Sequence, residues 1–323
     1  MASTKIVVLD GYTLNPGDNP WPSLDGIGEL TAYDRTSREE LLERAISADI
    51  LLTNKTVLDK ETLAQLPRLK FIAVLATGYN VVDVAAARQR GIPVSNVPTY
   101  GTDTVSQFAF AQILELCHHI GQHAASVAQG DWNRSPDWTY WKSPQVELSG
   151  KTLGIVGFGR IGQRTGAIGN ALGMHILFNT LPPFPAVDYP AQSATLEKLF
   201  SEADVIALHC ALNDSNFEFV NKTLLQRMKP TAFLVNNARG QLVNAADLAQ
   251  ALRDGVLAGA ALDVLAVEPP KVDNPLLHAP NCLITPHIAW ASLEARQRIT
   301  QTTLVNIRAF LSGTPINVVN PAQ

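Results

Sequence analysis

Three residues in the last third of the 323-residue sequence have the groups needed for acid–base chemistry on a carbonyl: Arg239, Glu268 and His287. A guanidinium can bind a carboxylate through two parallel hydrogen bonds, and an imidazolium can donate a proton to a carbonyl oxygen. A carboxylate beside the ring orients it and favours its protonated form. These are the groups required for proton-coupled hydride transfer to a small acid. Taken singly, they are equally compatible with a surface ion pair, a solvated loop acid and a capping or buried imidazole.

Predicted strands bring these three residues together. Apolar runs of strand length precede each of them, and the carboxyl ends of parallel strands meet at one edge of a sheet, where ligands bind. Helical segments separate most of these runs, which is typical of a doubly wound α/β sheet. The predicted strands of this sheet are residues 152–156, 175–178, 204–208, 232–236, 260–264 and 283–285.

A glycine-rich motif, GxGxxG, follows the first of these strands and leads into a predicted helix that reaches Leu172. Gly157 permits a tight turn, Gly159 lets the backbone approach a pyrophosphate, and Gly162 lets the helix pack closely on the strand. Because a strand precedes the motif and a helix follows it, the motif indicates a dinucleotide site rather than an ordinary glycine-rich turn. The predicted contacts are Gly157, Phe158, Gly159, Arg160, Ile161 and Gly162.

The end of the next strand leaves the type of dinucleotide open. An acidic residue here would hold the adenosine ribose hydroxyls, but the strand is followed by Asn179, Thr180 and Leu181. Without that acid a 2'-phosphate is not repelled, yet no Arg or Lys follows to attract one. NAD and NADP both stay open, with NAD preferred, and we expect Asn179 and Thr180 to contact the cofactor.

Longer stretches around these residues resemble a known family. They are residues 76–80 (ATGYN), 236–240 (NNARG), 262–269 (LDVLAVEP) and 285–290 (TPHIAW). In order and spacing they are similar to the signature blocks of the D-isomer-specific 2-hydroxyacid dehydrogenases, over essentially the whole chain. They are most similar to the glycerate dehydrogenase and hydroxypyruvate reductase group. This implies reversible hydride transfer between a nicotinamide cofactor and a small D-2-hydroxy acid/2-oxo acid pair, hydroxypyruvate or glyoxylate above all.

The resemblance also implies residue roles that agree with the chemistry above. Arg239 would bind the substrate carboxylate and polarise the C2 carbonyl, His287 would protonate the carbonyl oxygen during reduction, and Glu268 would hydrogen-bond the imidazole. Backbone N–H groups of Ala76, Thr77 and Gly78 would bind the carboxylate from the other domain, unless these residues form an ordinary turn. We expect Trp290 and Trp141 to close the pocket around C3 of the substrate, with core packing as the alternative.

Further cofactor contacts rest on the same resemblance. Asp263 would accept a hydrogen bond from the nicotinamide carboxamide, and Thr104 would donate to a phosphate, with helix capping as its alternative role. The remaining residues expected along the cofactor groove are Cys210, Ala211, Asn237 and Ala238.

The chain length suits two domains. The first hundred residues predict a smaller doubly wound domain, with strands at 6–9, 49–52, 71–75 and 93–95 and helices at 38–46, 60–65 and 82–89. We expect a Rossmann dinucleotide-binding domain, residues 101–290, inserted into a flavodoxin-like substrate domain of residues 1–100 and 291–323.

The segments flanking the predicted Rossmann sheet are a long helix at 104–121, capped by Thr102 or Asp103, and a helix at 291–311. Residues 314–319 would then return to the first domain. Between helix and sheet, residues 129–145 predict an irregular surface loop because they lack any clean period. The long helix and this tryptophan-containing loop offer a face for a homodimer, which the family resemblance also implies.

Composition argues against several other classes of protein. Charged residues make up 17% and hydrophobic residues 46%, with a net charge of −4 and no basic block, so we expect a cytoplasmic globular enzyme that binds neither nucleic acid nor membrane. No secretory signal pattern is present at the N-terminus, and Cys117, Cys210 and Cys282 form no CxxC pair. His118, His119 and His123 are the nearest approach to metal-ligand spacing, and we predict no catalytic metal.

Two alternatives remain at the level of sequence. Formate and phosphite dehydrogenases share the scaffold but oxidise other substrates. A dinucleotide-sensing binding protein, such as a corepressor, would retain the glycine motif and could retain the three catalytic residue types.

Overall fold

The structure, a computed structural model, describes residues 3–21 and 27–321. The chain divides into two compact units, of which the first comprises Met1–Tyr100 and Ala291–Gln323 and the second comprises Gly101–Trp290. Among the helices of the described residues, none combines the length and the apolar character that a membrane crossing requires.

Short strands and helices alternate along the chain. The strands are β1 (Lys5–Val8), β2 (Glu29–Ala32), β3 (Ile50–Thr53), β4 (Phe71–Val74), β5 (Val94–Ser95), β6 (Thr152–Val156), β7 (His175–Asn179), β8 (Ala191–Ser193), β9 (Val205–Leu208), β10 (Phe233–Asn236), β11 (Gly259–Leu262) and β12 (Cys282–Ile284). The α-helices are α1 (Leu41–Ala45), α2 (Lys60–Ala64), α3 (Val84–Gln89), α4 (Thr102–His118), α5 (Ile120–Ala128), α6 (Arg160–Ala171), α7 (Leu196–Glu202), α8 (Lys222–Leu225), α9 (Ala245–Arg253) and α10 (Leu293–Leu311). Single 3-10 turns occur at Trp132–Arg134, Gly240–Leu242 and Pro275–His278.

The first unit is built on a five-stranded sheet in the order β2-β1-β3-β4-β5, with parallel pairing throughout. This is the strand order of flavodoxin-like folds, as predicted. The four predicted strands form β1, β3, β4 and β5, whereas β2 was not predicted because its side chains are mostly exposed and give no apolar run. The ring of Phe310 on α10 stacks on Phe71 of β4 at 4.5 Å. The Val319 N–H donates to the Val94 carbonyl at 2.8 Å, so the C-terminal segment extends this sheet region at β5.

The second unit contains a seven-stranded parallel sheet in the order β12-β11-β10-β9-β6-β7-β8. Counted from β6, this is the doubly wound Rossmann order with one further strand, and the order reverses between β6 and β9. Apolar clusters cover both faces of the sheet. The predicted Rossmann fold is therefore confirmed. The short polar strand β8 was not predicted, because Ala-Gln-Ser carries no strand pattern.

The predicted long helix at 104–121 is two helices. α4 ends at His118, the next residue, His119, breaks the helix with a left-handed φ of 46°, and α5 then runs from Ile120 to Ala128. The predicted cap by Thr102 or Asp103 is wrong, because the helix begins at Thr102 and places both residues in the first turn; the cap position is Gly101. Residues 129–145 are irregular apart from the 3-10 turn Trp132–Arg134, as predicted.

Candidate active site

Parallel register sets the position of the site in the second unit. Asn236 at the end of β10 pairs with Leu262 of β11, which in turn pairs with Ile284 of β12. The strands therefore end level with one another, and the loops that carry Arg239, Glu268 and His287 all leave from the same edge of the sheet.

His287 and Glu268 are in direct contact. The imidazole Nδ1 lies 2.6 Å from Glu268 Oε2, and the other carboxylate oxygen accepts a hydrogen bond from the Leu265 N–H at 2.9 Å. The side chains are 29% and 33% exposed respectively, so solvent reaches the pair without surrounding it. Since the carboxylate binds Nδ1, Nε2 is the ring nitrogen left for proton transfer to a substrate.

The backbone at His287 is in the left-handed region, with φ of 55°, which is uncommon for a residue with a side chain. Its N–H donates to the Thr285 carbonyl at 2.9 Å, within the tight turn that follows β12. The turn thus fixes the direction in which the imidazole leaves the sheet.

Arg239 has an exposed side chain on a loop that is held by hydrogen bonds from Asn236. Asn236, buried at the end of β10, accepts from the Ala238 N–H at 3.0 Å and donates to the Arg239 carbonyl at 2.9 Å. The Arg239 guanidinium donates to the Ala238 carbonyl at 2.7 Å. A Cβ at Gly240 would lie 1.9 Å from the carbonyl carbon of Leu265, so this loop packs directly on the loop that leads to Glu268.

Asp263 is buried below the turn that carries His287. Its carboxylate accepts from the Thr285 hydroxyl at 2.6 Å and from the N–H groups of Ile288 and Ala289 at 2.9 and 2.8 Å. Burial raises the pKa of Asp263, although these hydrogen bonds oppose the shift. The structure thus gives Asp263 a role in holding the His287 turn, and its contact with a nicotinamide carboxamide stays a prediction.

The glycine motif has the geometry that its residue types predict. Gly157 has a φ of +92°, and a Cβ there would lie 2.4 Å from the Cys210 backbone nitrogen. A Cβ at Gly162 would lie 2.2 Å from the Gly157 carbonyl oxygen, so only glycine allows α6 to pack this closely. At Gly159, which precedes α6, an added Cβ meets no atom of the described residues within 4 Å. The open space beside this helix N-terminus fits a pyrophosphate.

The other loop residues differ in how they can contact a dinucleotide. Phe158 is 2% exposed and stacks on Phe178 at 4.2 Å, so its side chain belongs to the core and only its backbone faces the loop. Arg160 begins α6 with an exposed side chain, while Ile161 is half-buried and its carbonyl accepts from the Ser106 hydroxyl at 3.1 Å.

The remaining predicted cofactor residues lie around this edge of the sheet. Asn179 ends β7 and its amide donates to the Ala194 carbonyl at 2.8 Å, with the half-buried Thr180 next to it. Burial raises the pKa of the Cys210 thiol to about 11. The Thr104 hydroxyl donates to the Ala289 carbonyl at 3.2 Å, and Asn237 and Ala238 follow β10, while Ala211 is exposed after β9.

In the first unit, the predicted substrate-binding residues Ala76, Thr77 and Gly78 follow β4. The Ala76 carbonyl accepts from the Val97 N–H at 3.0 Å, and the Thr77 carbonyl accepts from the Asn96 amide at 2.8 Å. Within residues 3–21 and 27–321, the N–H groups of Thr77 and Gly78 have no hydrogen-bond acceptor. Two backbone donors are therefore available to an anion.

Two predictions about this region remain untested by geometry. Trp290 is half-buried and Trp141 is 69% exposed, and their place in a substrate pocket stays a prediction. No three His, Cys, Asp or Glu side chains in the described part of the chain come together as a metal site, and the expected absence of a catalytic metal also stays a prediction.

Sequence comparison places these features in a known context. Residues 110–289 match the family model described as D-isomer specific 2-hydroxyacid dehydrogenase, NAD binding domain. The chain is 50% identical over 320 residues to a hydroxypyruvate reductase of Blautia hydrogenotrophica, covering 98% of this chain and 99% of that protein. It is 42% identical over 319 residues to a glycerate dehydrogenase of Methylorubrum extorquens, covering 98% of each, and 37% identical over 293 residues to a glyoxylate reductase of Aeropyrum pernix, covering 89% and 88%.

Structure comparison gives the same context. A D-lactate dehydrogenase of Aquifex aeolicus, complexed with NAD and lactic acid, superposes with a TM-score of 0.84 at 26% identity, covering 99% of this chain and 100% of that one. An acyclic imino acid reductase in complex with NADPH and D-Arg superposes with a TM-score of 0.83 at 28% identity, covering 98% and 100%.

Substitution can separate the roles of Gly159 and Gly162, the two glycines on either side of the start of α6. We expect Gly162→Ala to lower the free energy of unfolding by about 1–3 kcal/mol, because its Cβ would overlap the Gly157 carbonyl. Gly159→Ala should leave stability unchanged but weaken binding of NADH and NADPH, because the new methyl group would occupy the space predicted for the pyrophosphate. Chemical denaturation and fluorescence titration measure the two effects. A Gly159→Ala protein with unaltered cofactor affinity would contradict this placement.

Proposed function

The chain belongs to the D-isomer-specific 2-hydroxyacid dehydrogenase family, and from this premise we propose that it reduces hydroxypyruvate and glyoxylate to D-glycerate and glycolate. The observation that carries the proposal is the 2.6 Å contact between His287 and Glu268, on the sheet edge that also bears Arg239. The choice of substrates is supported by the relatives named hydroxypyruvate reductase, glycerate dehydrogenase and glyoxylate reductase.

Arg239 binds the carboxylate of the 2-oxo acid in this proposal. Its guanidinium is exposed at the carboxyl edge of the sheet, and a planar fork of donors matches a carboxylate in two-point contact. The same cation polarises the C2 carbonyl and stabilises the negative charge that develops on its oxygen.

His287 supplies the proton for that oxygen. A bound nicotinamide cofactor supplies the hydride to C2. The ring donates from Nε2 because Glu268 occupies Nδ1, and the carboxylate stabilises the imidazolium before the proton leaves. In the direction of oxidation, the neutral ring accepts the hydroxyl proton from the D-2-hydroxy acid.

The first unit is the proposed substrate domain and the second the proposed dinucleotide-binding domain. The N–H groups of Thr77 and Gly78, which have no acceptor among the described residues, support binding of the substrate carboxylate at residues 76–78. Asp263, Thr104, Cys210, Asn237 and Ala238 remain proposed contacts of the cofactor, and Trp290 of the substrate.

Substitution of the two charged groups tests the proposed reaction. We expect His287→Ala to lower kcat for reduction of hydroxypyruvate and glyoxylate by about 10²–10⁴-fold, which is the usual contribution of a general acid. Arg239→Ala should raise KM, because it removes a contact to the substrate carboxylate, and lower kcat, because the guanidinium also stabilises the charge that develops on the carbonyl oxygen in the transition state. NADH and NADPH consumption measured at 340 nm reports both.

Matched controls are the exposed residues of the same unit, His278→Ala and Arg253→Ala, which should keep wild-type rates. Wild-type protein that turned over neither these acids nor pyruvate would exclude the proposed function, leaving a formate- or phosphite-oxidising enzyme or a dinucleotide-sensing protein. A folded His287→Ala variant with full activity would exclude the proton-donor role alone.

Of the two cofactors, we propose NAD. The end of β7 presents Asn179 and Thr180, and neither supplies the cation that a 2'-phosphate would need. The solved relatives bind NAD in one case and NADPH in the other, so the choice rests on these residues.

Introducing a negative charge at position 180 tests where the adenosine ribose binds. We expect Thr180→Asp to weaken NADPH binding roughly tenfold or more, because a carboxylate would repel the 2'-phosphate, while NADH binding changes little. The control is Thr231→Asp, which places the same charge before β10 at the opposite edge of the sheet. Equal NADPH affinity in wild type and Thr180→Asp would contradict the placement of the ribose site.

We propose that the protein acts as a homodimer in the cytoplasm. The loop after α5 is held by Asp131, which accepts from Ser126 and Lys142 at 2.6 and 2.5 Å, yet it exposes Trp132, Trp138 and Trp141 by 52%, 85% and 69%. An exposed apolar patch that is held by hydrogen bonds in this way is typical of an interaction surface.

The three cysteines support the proposed location in the cytoplasm. Cys117, Cys210 and Cys282 are free thiols, as is usual for proteins of a reducing compartment. Cell fractionation checks this location.

The exposed tryptophans generate a test of the dimer. We expect the wild-type protein to sediment as a dimer, and Trp138→Ser to shift the equilibrium towards monomer because it removes apolar surface from the patch. Phe217→Ser, at a ring that is 58% exposed elsewhere in the same unit, should leave the dimer intact. Sedimentation of wild-type protein as a monomer at micromolar concentration would exclude the dimer.

A further inference from the structure

We propose that Gln112 is a positioning residue that ties the loop of Arg239 to the turn of His287, an inference that rests on the proposed function. Gln112 lies on α4, outside the four motifs at residues 76–80, 236–240, 262–269 and 285–290, and it is 3% exposed. Its side chain is long, polar and buried, and the helix that carries it packs on β10 and β11. A buried primary amide in such a place is costly unless its hydrogen bonds are made.

The amide of Gln112 bridges two of the loops that leave the sheet edge. Its Oε1 accepts from the Asn237 amide at 2.8 Å, and its Nε2 donates to the Thr285 hydroxyl at 3.1 Å. Asn237 lies two residues before Arg239, and Thr285 lies two residues before His287. One side chain therefore contacts both of the loops that present the proposed catalytic groups.

Asp263 fixes the direction of this chain of hydrogen bonds. As a carboxylate it can only accept, so the Thr285 hydroxyl donates to it at 2.6 Å. The Thr285 oxygen must then accept from Gln112 Nε2, which leaves Gln112 Oε1 as the acceptor for Asn237. The three side chains adopt one arrangement, because reversing any amide would set donor against donor or acceptor against acceptor.

The consequence for the reaction is geometric. Hydride and proton transfer need the substrate carboxylate, carbonyl oxygen and imidazole in a fixed relation, and displacement by about 1 Å can cost a factor of 10² in rate. Arg239 is held by the loop from β10 and His287 by the turn after β12, while β11 lies between these strands. Gln112 spans that separation from the side of α4 and keeps the two loops in register.

The test replaces the amide without changing the volume of the side chain. We expect Gln112→Met to lower kcat for hydroxypyruvate roughly tenfold, because the loops that carry Arg239 and His287 lose their shared contact. Thr285→Val, which removes the hydroxyl, should give a similar loss, and Thr285→Ser should recover most of it. The double variant Gln112→Met/Thr285→Val should be no slower than the worse single variant, because both changes break one connection.

The control is Gln107→Met, the same substitution at an exposed position of the same helix, which should keep wild-type kcat. Wild-type kcat in Gln112→Met, or losses that multiply in the double variant, would overturn the proposal. A purely structural role predicts instead a lowered unfolding free energy with an unchanged kcat in the folded fraction.

A crystal structure of Gln112→Met separates this inference from the proposed function, since it needs no substrate. We expect residues 237–239 and 285–287 to be displaced while the strands below them stay in place. Unaltered loops would overturn the positioning role even in an active enzyme. Displaced loops in a protein that reduces no 2-oxo acid would instead place the fault with the proposed function.

Discussion

Parallel pairing in exact register is the constraint on which the second unit depends. Because β10, β11 and β12 run in one direction and pair level from Asn236 through Leu262 to Ile284, three loops distant in sequence leave the sheet at one edge. Nothing in Arg239, Glu268 or His287 taken alone requires them to meet. The sheet places their loops at one edge, because the backbone hydrogen bonds of each strand are made to its neighbours in the same sheet.

Beyond the ends of these strands, hydrogen bonds to buried polar side chains take the place of the regular backbone hydrogen bonds of the sheet. Asp263 is the central acceptor, with two backbone N–H groups and one hydroxyl converging on its carboxylate below the His287 turn. Burial opposes the ionised form of Asp263 and raises its pKa. The hydrogen bonds therefore offset the cost of desolvating the carboxylate and do not add an equal amount to the stability of the fold. The benefit of such a group is a unique arrangement of the turn, which an apolar side chain could not enforce.

At the glycine loop, close approach between backbone segments fixes the arrangement of the chain, as the buried polar groups do at the His287 turn. Gly157, Gly162 and Gly240 are positions where a Cβ would overlap the backbone of a neighbouring segment, whereas Gly159 borders open space. The first three allow segments of the unit to pack together, and Gly159 leaves room for a ligand. Residues of identical type thus divide into structural and binding roles according to what lies beside them.

The sequence by itself determined the order of most of the strands, the two doubly wound sheets, the glycine motif and the three strand-end residues. These depend on local patterns, namely apolar runs of strand length and glycines between a strand and a helix, which persist whatever the tertiary context. β2 and β8 escaped prediction because their residues are mostly polar and exposed and carry no such pattern.

Tertiary structure alone decided the break between α4 and α5, the burial of Phe158 and the bridge made by Gln112. His119 adopts a left-handed conformation that its residue type does not announce, and Phe158 faces the core because Phe178 lies beneath it. Gln112 bonds partners 125 and 173 residues away. A contact of that separation leaves no periodicity in the sequence, because only the folded sheet brings its two ends together.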